Sequence, residues 1–257
     1  MQQETEDVEA SNIIETNINE KYLMMKSSIK CCMLAVVFLL CGAAVNVAYA
    51  QSKKFSVLGD SYSTFEGLIS PSSNACWYFN GRTAGRSNDV KSSEQTWWKI
   101  FESQSGYALD VNNSYSGATI CCTGYRKEDY SDRSFISRMF NLGKPELILV
   151  FGGTNDSWSK APIGEYMYDG WTKSDLYFYR PALSYMLSQM KVLYPQSRIV
   201  FILNSELSDA IDASTNEVCA HYGIEVLELH DIDKMDGHPS VAGMKQIAEQ
   251  ILVYLKK

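Results

Sequence analysis

An α/β domain with a parallel sheet is predicted on three grounds. Short, mostly apolar runs of β-forming residues alternate with longer segments whose apolar residues recur at helical spacing, the pattern of parallel strands joined by helical crossovers. The chain beyond residue 50 is 207 residues long, which suits one domain with a sizeable core. It contains no internal repeat and no low-complexity linker that would divide it.

Taken in order, strands are predicted at 54–58, 108–112, 146–151, 198–203 and 225–228. Helices are predicted at 94–103, 132–142, 175–193, 209–222 and 240–255. In the last, Val241, Met244, Ile247, Ala248, Ile251, Leu252 and Leu255 fall on one stripe, so that helix is expected to pack on the sheet. Pro181 lies inside the third helical segment, which calls for a kink there or a late helix start. Two connections, 66–93 and 156–174, are longer than a crossover needs. They carry Trp77, Tyr78 and Phe79 in one and Trp158, Tyr166, Tyr168 and Trp171 in the other. Long loops in a compact domain are functional or disordered, and aromatic content argues against disorder. Trp77, Tyr78 and Trp158 are therefore expected to wall a substrate groove.

The first 50 residues read differently. Lys26 and Lys30 precede an uncharged stretch, 31–50, that ends in Ala48-Tyr49-Ala50. A basic region, an apolar region and an A-x-A site make a secretory signal peptide, with the mature chain starting at Gln51. The acidic segment ahead of Met24 and Met25 then reads as a misplaced start. A retained anchor is disfavoured, because the run is barely of spanning length and contains Gly42 and Asn46. An exported protein, periplasmic or extracellular, is the expectation, with no stable membrane association once the signal is removed. Six of the 30 acidic and three of the 23 basic residues lie in this leader, which leaves 24 acidic against 20 basic residues and a net charge of −4. Without a lysine or arginine block, nucleic acid is not an expected partner. Four cysteines remain, Cys76, Cys121, Cys122 and Cys219. Export permits a bridge between the Cys76 and Cys121-Cys122 loops, and small buried side chains are the other reading. No Cys-x-x-Cys or histidine cluster suggests a metal, and no cofactor is expected.

Chemistry is concentrated in four short blocks. Gly59-Asp60-Ser61-Tyr62-Ser63 follows the first strand, Ser116-Gly117 the second and Gly153-Thr154-Asn155-Asp156 the third; Asp236-Gly237-His238-Pro239 precedes the last helix. Ligands collect at the carboxyl ends of the strands of an open parallel sheet, so this placement brings the four together. Ser61 supplies a hydroxyl, and of His221, His230 and His238 only the last stands in a loop immediately before the C-terminal helix. If that segment is extended, Asp236 and His238 point to the same side, and the carboxylate would orient the ring that activates Ser61. The Ser61 and Gly117 N–H groups and the Asn155 amide are the candidate oxyanion donors. That inventory implies acyl transfer through a serine nucleophile.

In these blocks the chain resembles the SGNH hydrolase superfamily, also known as GDSL esterases and lipases, and the match runs through essentially all of the mature part. The resemblance implies a three-layer α/β/α flavodoxin-like sandwich with a five-stranded parallel sheet, and metal-free hydrolysis of esters through an acyl-serine. It assigns Ser61 as nucleophile and oxyanion donor, Gly117 and Asn155 as the further donors and His238 as base. The family spacing puts the acid three residues before the histidine, where this chain has Met235. Asp236, Asp233 or a backbone carbonyl is then left to orient His238. Clustered Trp and Tyr suit sugar faces, which points to deacylation, and specifically deacetylation, of a small-molecule or glycan ester. The runners-up are a lipase or lysophospholipase and a non-catalytic glycan-binding protein on the same fold.

Overall fold

The computed structural model describes residues 52–82 and 85–256, together with Met24 and Lys26. The chain separates into two units, Met1–Gln51 and Ser52–Lys257. Apart from its exposed, helical residues Met24 and Lys26, the first unit lies outside the described residues, and the signal-peptide expectation lies there with it. Among the described residues no helix is long and apolar enough to cross a membrane.

The second unit is built on a five-stranded, all-parallel sheet: β1 (Lys53–Gly59), β2 (Tyr107–Ser114), β3 (Leu147–Gly152), β4 (Arg198–Leu203) and β5 (Glu225–Glu228), in spatial order β2-β1-β3-β4-β5. Alternate residues of a strand face opposite sides, and β3 shows why both sides are covered. Ile148 and Val150 join one apolar cluster, while Leu147, Leu149 and Phe151 join the other. Onto the first face pack α2 (Phe135–Arg138), α4 (Tyr179–Leu193) and α5 (Asp209–Tyr222), through Phe135, Leu183, Met186, Leu187, Ile211 and Val218. Onto the second pack α1 (Trp97–Ser105) and α6 (Val241–Leu255), through Trp97, Trp98, Phe101, Met244, Ile247 and Ile251. Three layers result, as the resemblance implied.

Two helical expectations need correcting, and one helix was not expected. The segment expected as a helix over 132–142 contains only the four residues of α2, because Arg138 is drawn inward to donate to the carbonyls of Gly59, Asn113 and Arg133. The segment starting at 175 opens with a single 3-10 turn, Asp175–Tyr177, and Phe178 is extended before α4 begins. Pro181 thus sits in the first turn of α4, where its missing N–H costs no helical bond. A short helix not expected from the pattern, α3 (Thr154–Ser159), starts inside the third block. The four cysteines are free thiols, with Cys121, Cys122 and Cys219 buried and Cys76 half-buried.

Candidate active site

β1 ends at Gly59, where a Cβ would lie 2.6 Å from Ser114 Oγ and 2.7 Å from Ser63 Cβ. Only a residue without a side chain lets the chain pass so close to β2 and fold straight into the 3-10 turn Ser61–Ser63. Asp60 caps that turn by accepting from Tyr62 N at 3.0 Å. Its second carboxyl oxygen is buried as well, with the Thr154 hydroxyl nearby. Burial therefore pushes its pKa up to about 7, against the lowering effects of the Tyr62 N–H and the nearby Arg138 guanidinium.

The imidazole expected to act as base comes from the far end of the sequence. Lys234–Met235 and His238–Pro239 form a two-stranded antiparallel hairpin, β6 and β7, beyond the main sheet. Its turn is Asp236-Gly237, with φ of 53° and 69°, the left-handed pair that a two-residue hairpin turn requires. Three side chains from the N-terminal part of the domain grip the hairpin carbonyls. Tyr62 Oη donates to Gly237 O at 2.6 Å, Tyr78 Oη to Pro239 O at 2.9 Å, and Asn88 Nδ2 to Met235 O and Pro239 O. This grip turns His238 inward, 4% exposed, with Nε2 2.9 Å from Ser61 Oγ.

On the other side of the ring, Nδ1 lies 3.0 Å from the backbone carbonyl of Asp236. A carbonyl only accepts, so Nδ1 carries the hydrogen and Nε2 is left to accept from the serine hydroxyl. The extended geometry expected for 236–238 does not occur. Because Asp236 is left-handed and exposed, its main chain rather than its carboxylate meets the imidazole. Asp233 is also accounted for elsewhere: its carboxylate accepts from Ser240 Oγ and its carbonyl from Ser240 N, at the start of α6. Burial is the largest influence on His238 and lowers its pKa to about 4. The bond to the Asp236 carbonyl opposes this, and the charge of Arg86 reinforces it.

Gly117 and Asn155 converge on the same edge of the sheet. Among the described residues, neither the Ser61 N–H nor the Gly117 N–H enters a turn or loop hydrogen bond. Asn155 is buried. Its Nδ2 donates to Ala118 O at 3.0 Å while its Oδ1 accepts from Tyr125 Oη at 2.8 Å. With the oxygen so occupied, the amide nitrogen keeps a second hydrogen to offer. Asp156 fixes the neighbouring loop through the N–H groups of Ile120 and Cys121. Burial raises its pKa to about 6.

The three aromatic residues expected to wall a groove fare differently. Trp158 is 43% exposed and lies edge-on to His238 at 5.8 Å. Tyr78 is buried, 2% exposed, and its hydroxyl is spent on Pro239, so it supports the hairpin from within. Trp77 stacks flat on His238, with centroids 3.4 Å apart and planes 6° from parallel, which takes up a face that a sugar would need. Tyr125 and Arg86 were not anticipated. Neither sits in a recognisable pattern, and both reach the site only through the folding of their loops.

A hydroxyl hydrogen-bonded to an imidazole at the carboxyl edge of a three-layer parallel sheet, on the same edge as the Ser61 and Gly117 N–H groups, is what a serine-type ester hydrolase presents. The sequence profile of the GDSL-like Lipase/Acylhydrolase family matches residues 53–255, and the chain belongs to that family, whose members act on ester bonds. Among solved structures, a candidate GDSL-like lipase from Bacteroides uniformis is 57% identical, with 82% of this chain and 99% of that one covered and a TM-score of 0.79. Its counterpart from Bacteroides ovatus is 52% identical over 79% and 98%, with a TM-score of 0.78. An acetyl xylan esterase from the rumen bacterium Butyrivibrio proteoclasticus shares the fold at 17% identity, over 80% and 64%, with a TM-score of 0.51. No curated protein matches this chain.

Proposed function

We propose that this protein is an exported serine esterase, periplasmic or extracellular, with residues 51–257 as its hydrolase domain, that removes acyl groups, acetyl in particular, from carbohydrate esters. The observation that carries the reading is the 2.9 Å contact between Ser61 Oγ and His238 Nε2, with Nδ1 satisfied on the far side. Ser61 attacks the ester carbonyl carbon as its proton passes to Nε2. The charge that develops on the carbonyl oxygen is met by the N–H groups of Ser61 and Gly117 and by Asn155 Nδ2. The imidazolium then protonates the departing alcohol, leaving an acyl-serine. Water, deprotonated by the same nitrogen, releases the acid and restores Ser61.

In this scheme the Asp236 carbonyl orients the base, and no carboxylate takes part. Trp158 is the aromatic surface left open beside His238 and is the platform for a sugar ring. The likeness to an acetyl xylan esterase, a likeness of fold, agrees with that substrate class. A small chromogenic acetyl ester tests the chemistry: Ser61→Ala is expected to lower kcat by at least about a thousandfold. Release of acetate from acetylated xylo-oligosaccharides, set against hydrolysis of long-chain acyl esters, tests the substrate. Preference for the long chains would make it a lipase or lysophospholipase. Retained glycan binding without turnover would make it a binding protein.

A further inference from the structure

We propose that Trp77 and Arg86 form a positioning device for His238, in which the indole fixes the plane of the imidazole toward Ser61 and the guanidinium behind it disfavours the protonated ring. This rests on the reading of Ser61 and His238 as nucleophile and base. A histidine held by a carbonyl at Nδ1 and a hydroxyl at Nε2 can still roll about the line joining those two bonds, so packing on its ring face must set its plane. Trp77 is the side chain placed to do so, at 3.4 Å and 6°.

The indole is tied to the nucleophile as well as to the base. Trp77 N donates to Thr64 Oγ1 at 2.9 Å, and Thr64 Oγ1 donates to Ser61 O at 3.0 Å. One residue therefore links the serine turn, through its backbone, to the histidine ring, through its side chain. Among the described residues its buried Nε1 has no acceptor, so the contacts that hold the ring are those on its faces. One face is covered by His238. The Arg86 guanidinium carbon lies 3.9 Å from the indole centroid, and with the imidazole seated centrally on one face it has room only on the other. Arg86 Nη1 also donates to Trp77 O at 2.6 Å, which keeps the guanidinium in register over its own indole.

The order of the stack is thus guanidinium, indole, imidazole. A positive charge two ring-spacings from an imidazole makes its protonation harder. Among the described residues, the charged or titratable groups around His238, besides Arg86 behind the indole, are the Asp236 carboxylate on its own turn, the Ser61 hydroxyl, the phenols of Tyr62 and Tyr78, and Asp60 behind the serine. Arg86 is the one cation in that set, and exchanging its charge isolates its effect.

The test is the pH dependence of kcat/KM on a small chromogenic acetyl ester, with Tm and far-UV circular dichroism recorded for every variant. Arg86→Gln is expected to move the acid limb up by about half a pH unit or more, whereas Arg86→Lys holds it near the wild-type position. Trp77→Leu is expected to lower kcat about tenfold or more with KM within about threefold, and Trp77→Phe to recover most of the loss. An unmoved acid limb in Arg86→Gln, or a Trp77→Leu variant altered in KM alone, overturns the proposal. If Trp77→Leu does not fold, Trp77→Phe and the two Arg86 variants decide. Absence of ester turnover in the wild type would count against the hydrolytic reading instead. NMR titration of the His238 ring in wild type and Arg86→Gln, assigned with His238→Asn, would then still decide whether the guanidinium acts on the imidazole.

Discussion

What stands behind His238, the proposed base, is a main-chain carbonyl in place of the carboxylate expected of a catalytic triad. Asp236→Asn keeps that carbonyl, so its kcat on an acetyl ester at pH 7 is expected to stay within about threefold of wild type. A hundredfold fall, about 2.7 kcal/mol, would return the role to the carboxylate. Burial lowers the His238 pKa to about 4, and the base must be neutral to accept a proton. The acid limb of kcat/KM is therefore expected to fall through about pH 4, well below the ordinary histidine value. The same shift has a stability sign. The folded-state value lies below the unfolded one of about 6.5, so the contribution is present above pH 6.5 and is lost as pH falls toward 4. At this scale the sequence singled out Ser61, Gly117, Asn155 and His238, which the fold brings to one edge of the sheet. It did not tell what orients the ring. The carboxylate reading assumed an extended 236–238, and the Asp236-Gly237 pair, itself a hairpin signal, makes a turn there.

Among the elements, α6 matters most to the site because its start and the histidine hairpin are fastened together. Ser240 caps the helix by accepting from Gly243 N at 3.1 Å and also donates to the Asp233 carboxylate. Ser240→Ala is expected to cost about 1 kcal/mol, seen as a Tm lower by about 2–4 °C in a domain of this size. Strands and long helices were legible because their apolar patterns are periodic: 198–203, 225–228 and 209–222 agree with β4, β5 and α5 residue for residue. The ends of elements were less so. The 132–142 segment is shortened by one buried arginine, and α4 begins late because of its proline. Both are decided by partners or backbone limits that periodicity does not register.

For the molecule as a whole, the sheet is a wall between two apolar cores, and the α1/α6 core bears directly on β1 and β3. Ile247 is fully buried there. Ile247→Ala is expected to destabilise by about 2–5 kcal/mol in urea unfolding, while Val253→Ala on the outer face of α6, 61% exposed, should stay within about 0.5 kcal/mol. The three layers were what the family resemblance implied, and the parallel sheet was readable in advance from the alternation of strands and helices. The lining of the site was not, since Trp77, Tyr78 and Trp158 are alike in composition and part ways only through what packs on each.

Ser61 and His238 are 177 residues apart along the chain, yet share a proton across 2.9 Å. A contact of such sequence separation closes late in folding, after the intervening strands have paired. During synthesis a ribosome-bound fragment that ends before the 234–239 hairpin holds Ser61 without His238 and is expected to show no turnover. In refolding, recovery of turnover should lag behind recovery of secondary structure and time the docking of the C-terminal hairpin.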